Sequence, residues 1–136
     1  MDKDIRKIVD ERSYDTLVAT PHEIDVFTAT LRQTVAAQSL KAGTILALSE
    51  TDNKYVILGT EAQTTTVDET EVTEVLKANA ILAEDVTTST TADVKIAAYR
   101  KGHFNRKALA VKSGYTLTNA DIEELRSAGI YLETEI

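Results

Sequence analysis

"GTILALSETDNKYVILGT", Gly43 to Thr60, is the stretch on which the reading of the fold turns. Thr44–Leu48 and Tyr55–Leu58 are short apolar runs. Between them lies the polar "SETDNK", holding Asp52 and Asn53, residue types that suit a tight turn. Two such runs around a polar turn predict a β-hairpin. Neighbouring segments extend the pattern. Ile24, Val26, Thr28 and Thr30 alternate with Asp25, Phe27, Ala29 and Leu31, the period-two signature of a strand. Val94, Ile96 and Ala98 alternate with Lys95, Ala97 and Tyr99 in the same way, and Gly102 is expected to break that strand. Ala80–Ala83 reads as a short apolar strand closed by Glu84-Asp85, and "IYLETEI" as a final strand.

The remaining segments are connectors and one helix. Thr60–Glu74, "TEAQTTTVDETEVTE", is polar and acidic and reads as a surface loop or a ragged edge strand. "NRKALAV" after Phe104 reads as a short helical turn or strand. Thr118 is a good N-cap, and Asp121 three residues on completes an approximate capping box. Ile122 and Leu125 form the buried stripe, Ala128 continues it, and Gly129 supplies a left-handed stop. Residues 1–24 differ in character. Ile5, Ile8 and Val9 fall at helical spacing, but the stripe is thin for an isolated helix. The segment is expected to be an arm that orders against a partner, ending at Thr20-Pro21, with one globular domain over 25–136.

Bulk properties narrow the function classes. At 136 residues the chain is the size of one domain, and 43% hydrophobic content suits a globular core. With two Phe, five Tyr and no Trp, that core must come mainly from Val, Ile, Leu and Ala. A net charge of −7 argues against a surface built to displace counterions from phosphates, and against anionic membranes. There is no cysteine, so disulfides, thiolate metal sites and thiol chemistry are excluded. No apolar run approaches a membrane span, and the start lacks a secretion core, so synthesis in the cytoplasm is expected.

No catalytic constellation is legible. His22 lies beside Pro21 and His103 follows Gly102, neither near a nucleophile elbow or an HxxxH spacing. Both are expected to be surface or interface histidines. The acidic run "VDETEVTE", with Asp68, Glu69, Glu71 and Glu74, lacks the glycine and ligand order of a calcium loop and reads as a solvated face. "GHFN" and "KAGT" lack the Gly-Lys-Ser/Thr ending of a phosphate loop. No metal, no cofactor and no enzymatic activity are expected.

Taken in order, several segments form a pattern: "KAGTILALSETDNKYVILGT", "ANAILAEDV", "ADVKIAAYRKGHFNRKAL" and "YTLTNADIEELRSAGIYL". With "YDTLVA" at Tyr14–Ala19, this ordered set over residues 14–136 resembles the lambda-type head decoration proteins of tailed phages. The resemblance implies a structural virion protein that forms homotrimers on the outer surface of an expanded head. There it would bind the major capsid protein at local three-fold positions and cement the shell against packaged DNA, with no direct contact to nucleic acid or membrane. The first 13 residues depart from the family in length and charge. The alternatives weighed are another virion interaction part, such as a tail or fibre component, and a small hydrolase using His103.

The fold expectation is α+β, predominantly β: a compact open-barrel, tulip-like domain with one or two short helices and an N-terminal arm. Candidate capsid-contacting residues on the arm are Ile5, Ile8, Val9, Tyr14, Leu17 and Val18. The basic stretch "YRKGHFNRKAL" reads as a strand-to-turn corner, with Arg100, His103, Phe104 and Arg106 as candidate subunit or capsid contacts. Phe104 is expected to plug the core or a subunit contact, and carboxylates of a neighbour, such as Glu133 or Glu135, or of the capsid, to meet the cations.

Overall fold

The protein is described from a computed structural model over residues 18–133. The opening stretch forms β3 (Ile45–Ser49) and β4 (Tyr55–Ile57), paired antiparallel with Leu46 opposite Ile57 and Leu48 opposite Tyr55. Its turn closes on three local features. Asn53 takes φ 58°, Asp52 Oδ1 accepts from the Lys54 N–H at 3.0 Å, and the Ser49 N–H donates to the Lys54 carbonyl at 2.9 Å. "ILAL" shows no polar alternation because both faces of β3 are covered. Ile45 and Ala47 enter one apolar cluster, while Leu46 and the half-buried Leu48 enter another.

Around this hairpin the sheet runs β1 (Val18–Leu31), β4, β3, β7 (Leu76–Leu82), β9 (Val94–Asn105), and β9 pairs back onto β1. The result is a closed five-strand barrel, a tighter form of the expected small β-rich domain. Closure rests on Leu31 opposite Tyr55 and the Arg32 N–H to the Tyr55 carbonyl at 2.9 Å. It is possible because β1 is 14 residues long and reaches from β9 to β4. Closing removes two sheet edges that would otherwise be open to foreign strands. β1 also starts at Val18, so Pro21 lies inside the strand rather than ending the leading segment. The pairing with β9 shifts register between Thr20 and Asp25, an irregularity that accommodates a residue without an N–H.

All five barrel strands contribute to the interior: Ala29 and Leu31, Tyr55, Leu46, Ala80 and Leu82, Ile96 and Ala98. The alanines matter, because a barrel this narrow has little room for larger side chains. Leu40 and Val86, on the short strand pair β2 (Ser39–Leu40) and β8 (Val86–Thr87), pack against this cluster. The second cluster lies on the outer face of the sheet. Ile45, Val56, Leu58, Ile81 and Phe104 meet Leu125 of α1 (Asn119–Ala128) and Ile130 of β10 (Ile130–Glu133). Each fully buried aliphatic or aromatic side chain here contributes about 1.5–3 kcal/mol relative to exposure.

The helix forms as its sequence predicts. Thr118 Oγ1 accepts from the Asp121 N–H at 3.1 Å, Asp121 Oδ2 accepts from the Thr118 N–H at 3.0 Å, and Gly129 ends the helix at φ 103°. β10 then runs parallel to β9, with Ile130 opposite Gly102 and Leu132 opposite Phe104.

Three local expectations are corrected. Gly102 does not end its strand: β9 continues to Asn105, with Gly102 at φ 141°. Tyr99 and Phe104, five residues apart, pack in the same cluster with ring centroids 5.2 Å apart. An odd spacing puts two strand residues on opposite faces, so the backbone irregularity at Gly102 is what turns Phe104 away from the interior face of Ile96 and Ala98 and onto the outer-face cluster. Thr60–Glu74, expected as a surface loop or a ragged edge strand, is exposed strand but not an edge of the main sheet: it carries a separate hairpin, β5 (Thr64–Val67) and β6 (Thr70–Thr73). Its turn residues Asp68 and Glu69 both adopt positive φ, 49° and 65°, the geometry of a two-residue hairpin turn. Glu74, read as part of a solvated face, is buried.

Candidate functional site

The corner at the C-terminal end of β9 holds four of the candidate contact residues. Because β10 lies parallel beside it, His103, Tyr131 and Glu133 share one face of the strand pair. The His103 ring stacks on Tyr131 at 4.9 Å, and its Nδ1 lies 2.8 Å from Glu133 Oε2. Glu133 therefore has an ion-pair geometry inside its own chain, where the sequence reading looked for it on a neighbour. Phe104 is fully buried in its own chain, so its side chain offers nothing to a partner.

Arg100 is half-exposed and engaged with β1. Its Nε donates to Asp25 Oδ2 at 2.7 Å, and its guanidinium sits 5.0 Å from the centroid of the Phe27 ring. At this exposure the ion pair contributes about 0–1 kcal/mol. Asn105 caps the 3-10 turn Arg106–Ala108, its side chain accepting from the Lys107 N–H at 3.1 Å. That turn presents Arg106 and Lys107 to solvent. Lys101, Arg106 and Lys107 make no ion pair among the described residues. Of the arm candidates, Val18 opens β1 opposite Phe104, and Ile5, Ile8, Val9, Tyr14 and Leu17 lie outside the described residues. Glu135 and His22 carry no described side chain.

A second polar centre lies at the other end of β1 and was not legible in the sequence. Arg32 Nη2 donates to Glu74 Oε1 at 2.7 Å and to Asp52 Oδ2 at 3.1 Å, and its Nη1 donates to Glu74 Oε2 at 3.2 Å. Glu74 also accepts from Ser49 Oγ at 2.7 Å and from the Gln63 N–H at 2.8 Å. The Arg32 hydrogen bond, helped by the Gln63 N–H and the Ser49 hydroxyl, outweighs the cost of burial and holds the Glu74 carboxyl down to about 2. At Asp52 burial acts upward, but the Lys54 N–H and the Arg32 guanidinium prevail and lower it. Lys54 in turn pairs with Asp93 at 2.7 Å, and Asp93 accepts from the Gln33 N–H at 2.9 Å. The cluster ties the end of β1, the β3–β4 turn and the base of the β5–β6 hairpin to one another.

Beside this cluster is a cavity of about 350 Å³, lined by Leu31, Arg32, Val56, Ile57 and Gln63 among others. Arg32 Nε is buried without a hydrogen-bond partner among the described residues. The cluster's carboxylates are held ionised by their partners, the opposite of what a general acid at neutral pH needs. Among the described residues no group of three or more His, Asp or Glu side chains could hold a metal ion. Among the same residues no helix is long and apolar enough to cross a membrane. The Arg32 cluster is an internal clamp between elements distant in the chain. Arg32 and Glu74 lie 42 positions apart, and no local periodicity signals such a pair.

No protein-family model matches this chain, and no curated protein gives a significant match.

Proposed function

We propose that this protein is a structural cement of a tailed-phage head, a homotrimer that binds the major capsid protein on the outside of the expanded shell at local three-fold positions. The observation that carries the reading is how the segments that resemble decoration proteins sit in the fold. "GTILAL" runs into β3 and holds its first four residues, "ILAEDV" spans the end of β7 to β8, "GHFN" ends β9 and "GIYL" enters β10. The last two are partners in one ladder, Ile130 with Gly102 and Leu132 with Phe104. The resemblance thus falls on elements that build the barrel and its outer cover. A shell protein attached at a three-fold site gains from multivalency, because once one contact forms the others meet at high effective concentration.

The test is electron microscopy of heads assembled with and without the protein. Extra density at the three-fold positions is expected. Density on tails, or none on heads, overturns the reading, and density on tails would favour the tail-component alternative. A truncation probes the arm. Removing residues 1–17 leaves all of β1, whereas a cut at residue 24 would take away half of it. The 18–136 protein is expected to fold and to lose binding to heads; normal decoration by it would exclude the arm as the capsid contact.

A further inference from the structure

The β5–β6 hairpin is the element whose exposure is unexplained. Every residue of both strands is exposed. Its pairing sets Thr65 opposite Val72 and Val67 opposite Thr70, so these four β-branched side chains share one uncharged face. Val67 and Val72 are 55% and 43% exposed, and Val75, just past the end of β6, is 49% exposed. A two-stranded hairpin with no covered face is marginal in water. The tip adds Asp68 and Glu69, and Glu71 lies on the opposite face, all without an ion pair among the described residues.

The complement to this element is on the same chain but out of its reach. Lys101, Arg106 and Lys107 surround the β9 corner, next to Tyr131, which is 42% exposed. The hairpin is anchored through Glu74 to Arg32, just past Leu31, and Leu31 pairs with Val94 at the start of β9. The basic corner starts at Lys101, near the far end of β9, and continues past Asn105 to Arg106 and Lys107. The base of the hairpin and the Arg106–Lys107 end of the corner therefore lie at opposite ends of a 12-residue strand, at most roughly 36 Å long at about 3.3 Å per residue.

We infer that the β5–β6 hairpin docks on the β9 corner of a second copy of this chain, its β-branched face against the Tyr131 side of the corner and its acidic tip toward Lys101, Arg106 and Lys107. Different patches meet in such a contact, so it is heterologous and closes a ring when the rotation allows. This deepens the self-association in the functional reading by naming the two surfaces. It is tested without heads, so that failure of decoration and failure of this contact are separately visible.

The experiment is sedimentation velocity on the full chain over a concentration series, at low and high salt. The wild-type protein is expected to associate, and salt is expected to weaken the association. Asp68→Lys with Glu69→Lys at the hairpin tip, and separately Lys101→Glu with Arg106→Glu and Lys107→Glu, are each expected to weaken it by about tenfold or more. A chain carrying both sets restores opposite charges across the contact and is expected to regain association, which a mere folding defect would not do. Val67→Thr with Val72→Thr keeps strand propensity and is also expected to weaken it. A monomeric wild type at all concentrations, undiminished association in the single-surface variants, or no recovery in the combined chain would each overturn the inference.

Discussion

At Gly59 the backbone has φ 106°, and a Cβ there would lie 2.7 Å from the Cβ and Cγ of Tyr115. The residue must be glycine for two independent reasons, the left-handed backbone and the approach of the ring. Tyr115 cannot easily retreat, because its hydroxyl donates to Asp121, the same carboxylate that caps the helix. That hydrogen bond, with burial adding to it, raises the Tyr115 hydroxyl above its usual range. Gly59→Ala is expected to cost about 2 kcal/mol or more, read as a lower denaturant midpoint. Phe104→Ala, which empties the largest fully buried site, is expected to cost about 3–5 kcal/mol in the same measurement. A loss much under 1 kcal/mol would show that Phe104 is not a core plug. His103→Ala, its half-exposed neighbour, gives the contrast: stability should change far less.

At the scale of elements, helix and strands differ in how far local chemistry specifies them. The helix carries its own start and stop, so Thr118, Asp121, Leu125 and Gly129 could be assigned roles from spacing alone. Thr118→Ala removes the acceptor for the Asp121 N–H and is expected to lower stability by about 1 kcal/mol, with an unchanged m-value. Strand ends are less legible. β9 runs through Gly102 because β10 supplies a ladder beside it, the Gly102 N–H donating to the Gly129 carbonyl at 3.0 Å. β1 likewise runs through Pro21 because β9 lies opposite. The acidic threonine-rich stretch became a hairpin through two consecutive positive-φ residues, Asp68 and Glu69, neither a glycine or asparagine that would announce the turn.

For the whole molecule, the clamp around Arg32 couples stability to pH. The Glu74 carboxyl titrates near 4.5 in the unfolded chain and about 2 in the folded one. A lowered folded value means the contribution is fully present above the unfolded value and is lost as pH falls toward the folded one. Stability is therefore expected to decline between about pH 4.5 and 2, by at most about 3 kcal/mol from this group. Glu74→Gln should be less stable at neutral pH and show a flatter acid limb; a limb as steep as that of the wild type would remove Glu74 from the clamp. The lowered Asp52 and Asp93 act in the same direction, so some slope remains in the variant. The amino-acid sequence by itself determined the β-rich class, the first hairpin, the capped helix and the lack of cysteine chemistry, because turn residues, periodicity and composition are local or additive properties. Only the tertiary structure decided the closure at Leu31 and Tyr55, the turn of Phe104 onto the outer-face cluster, and the pairing of Arg32 with Glu74 across 42 positions. Each of these depends on where distant strands meet in space, and a one-dimensional pattern holds no term for that.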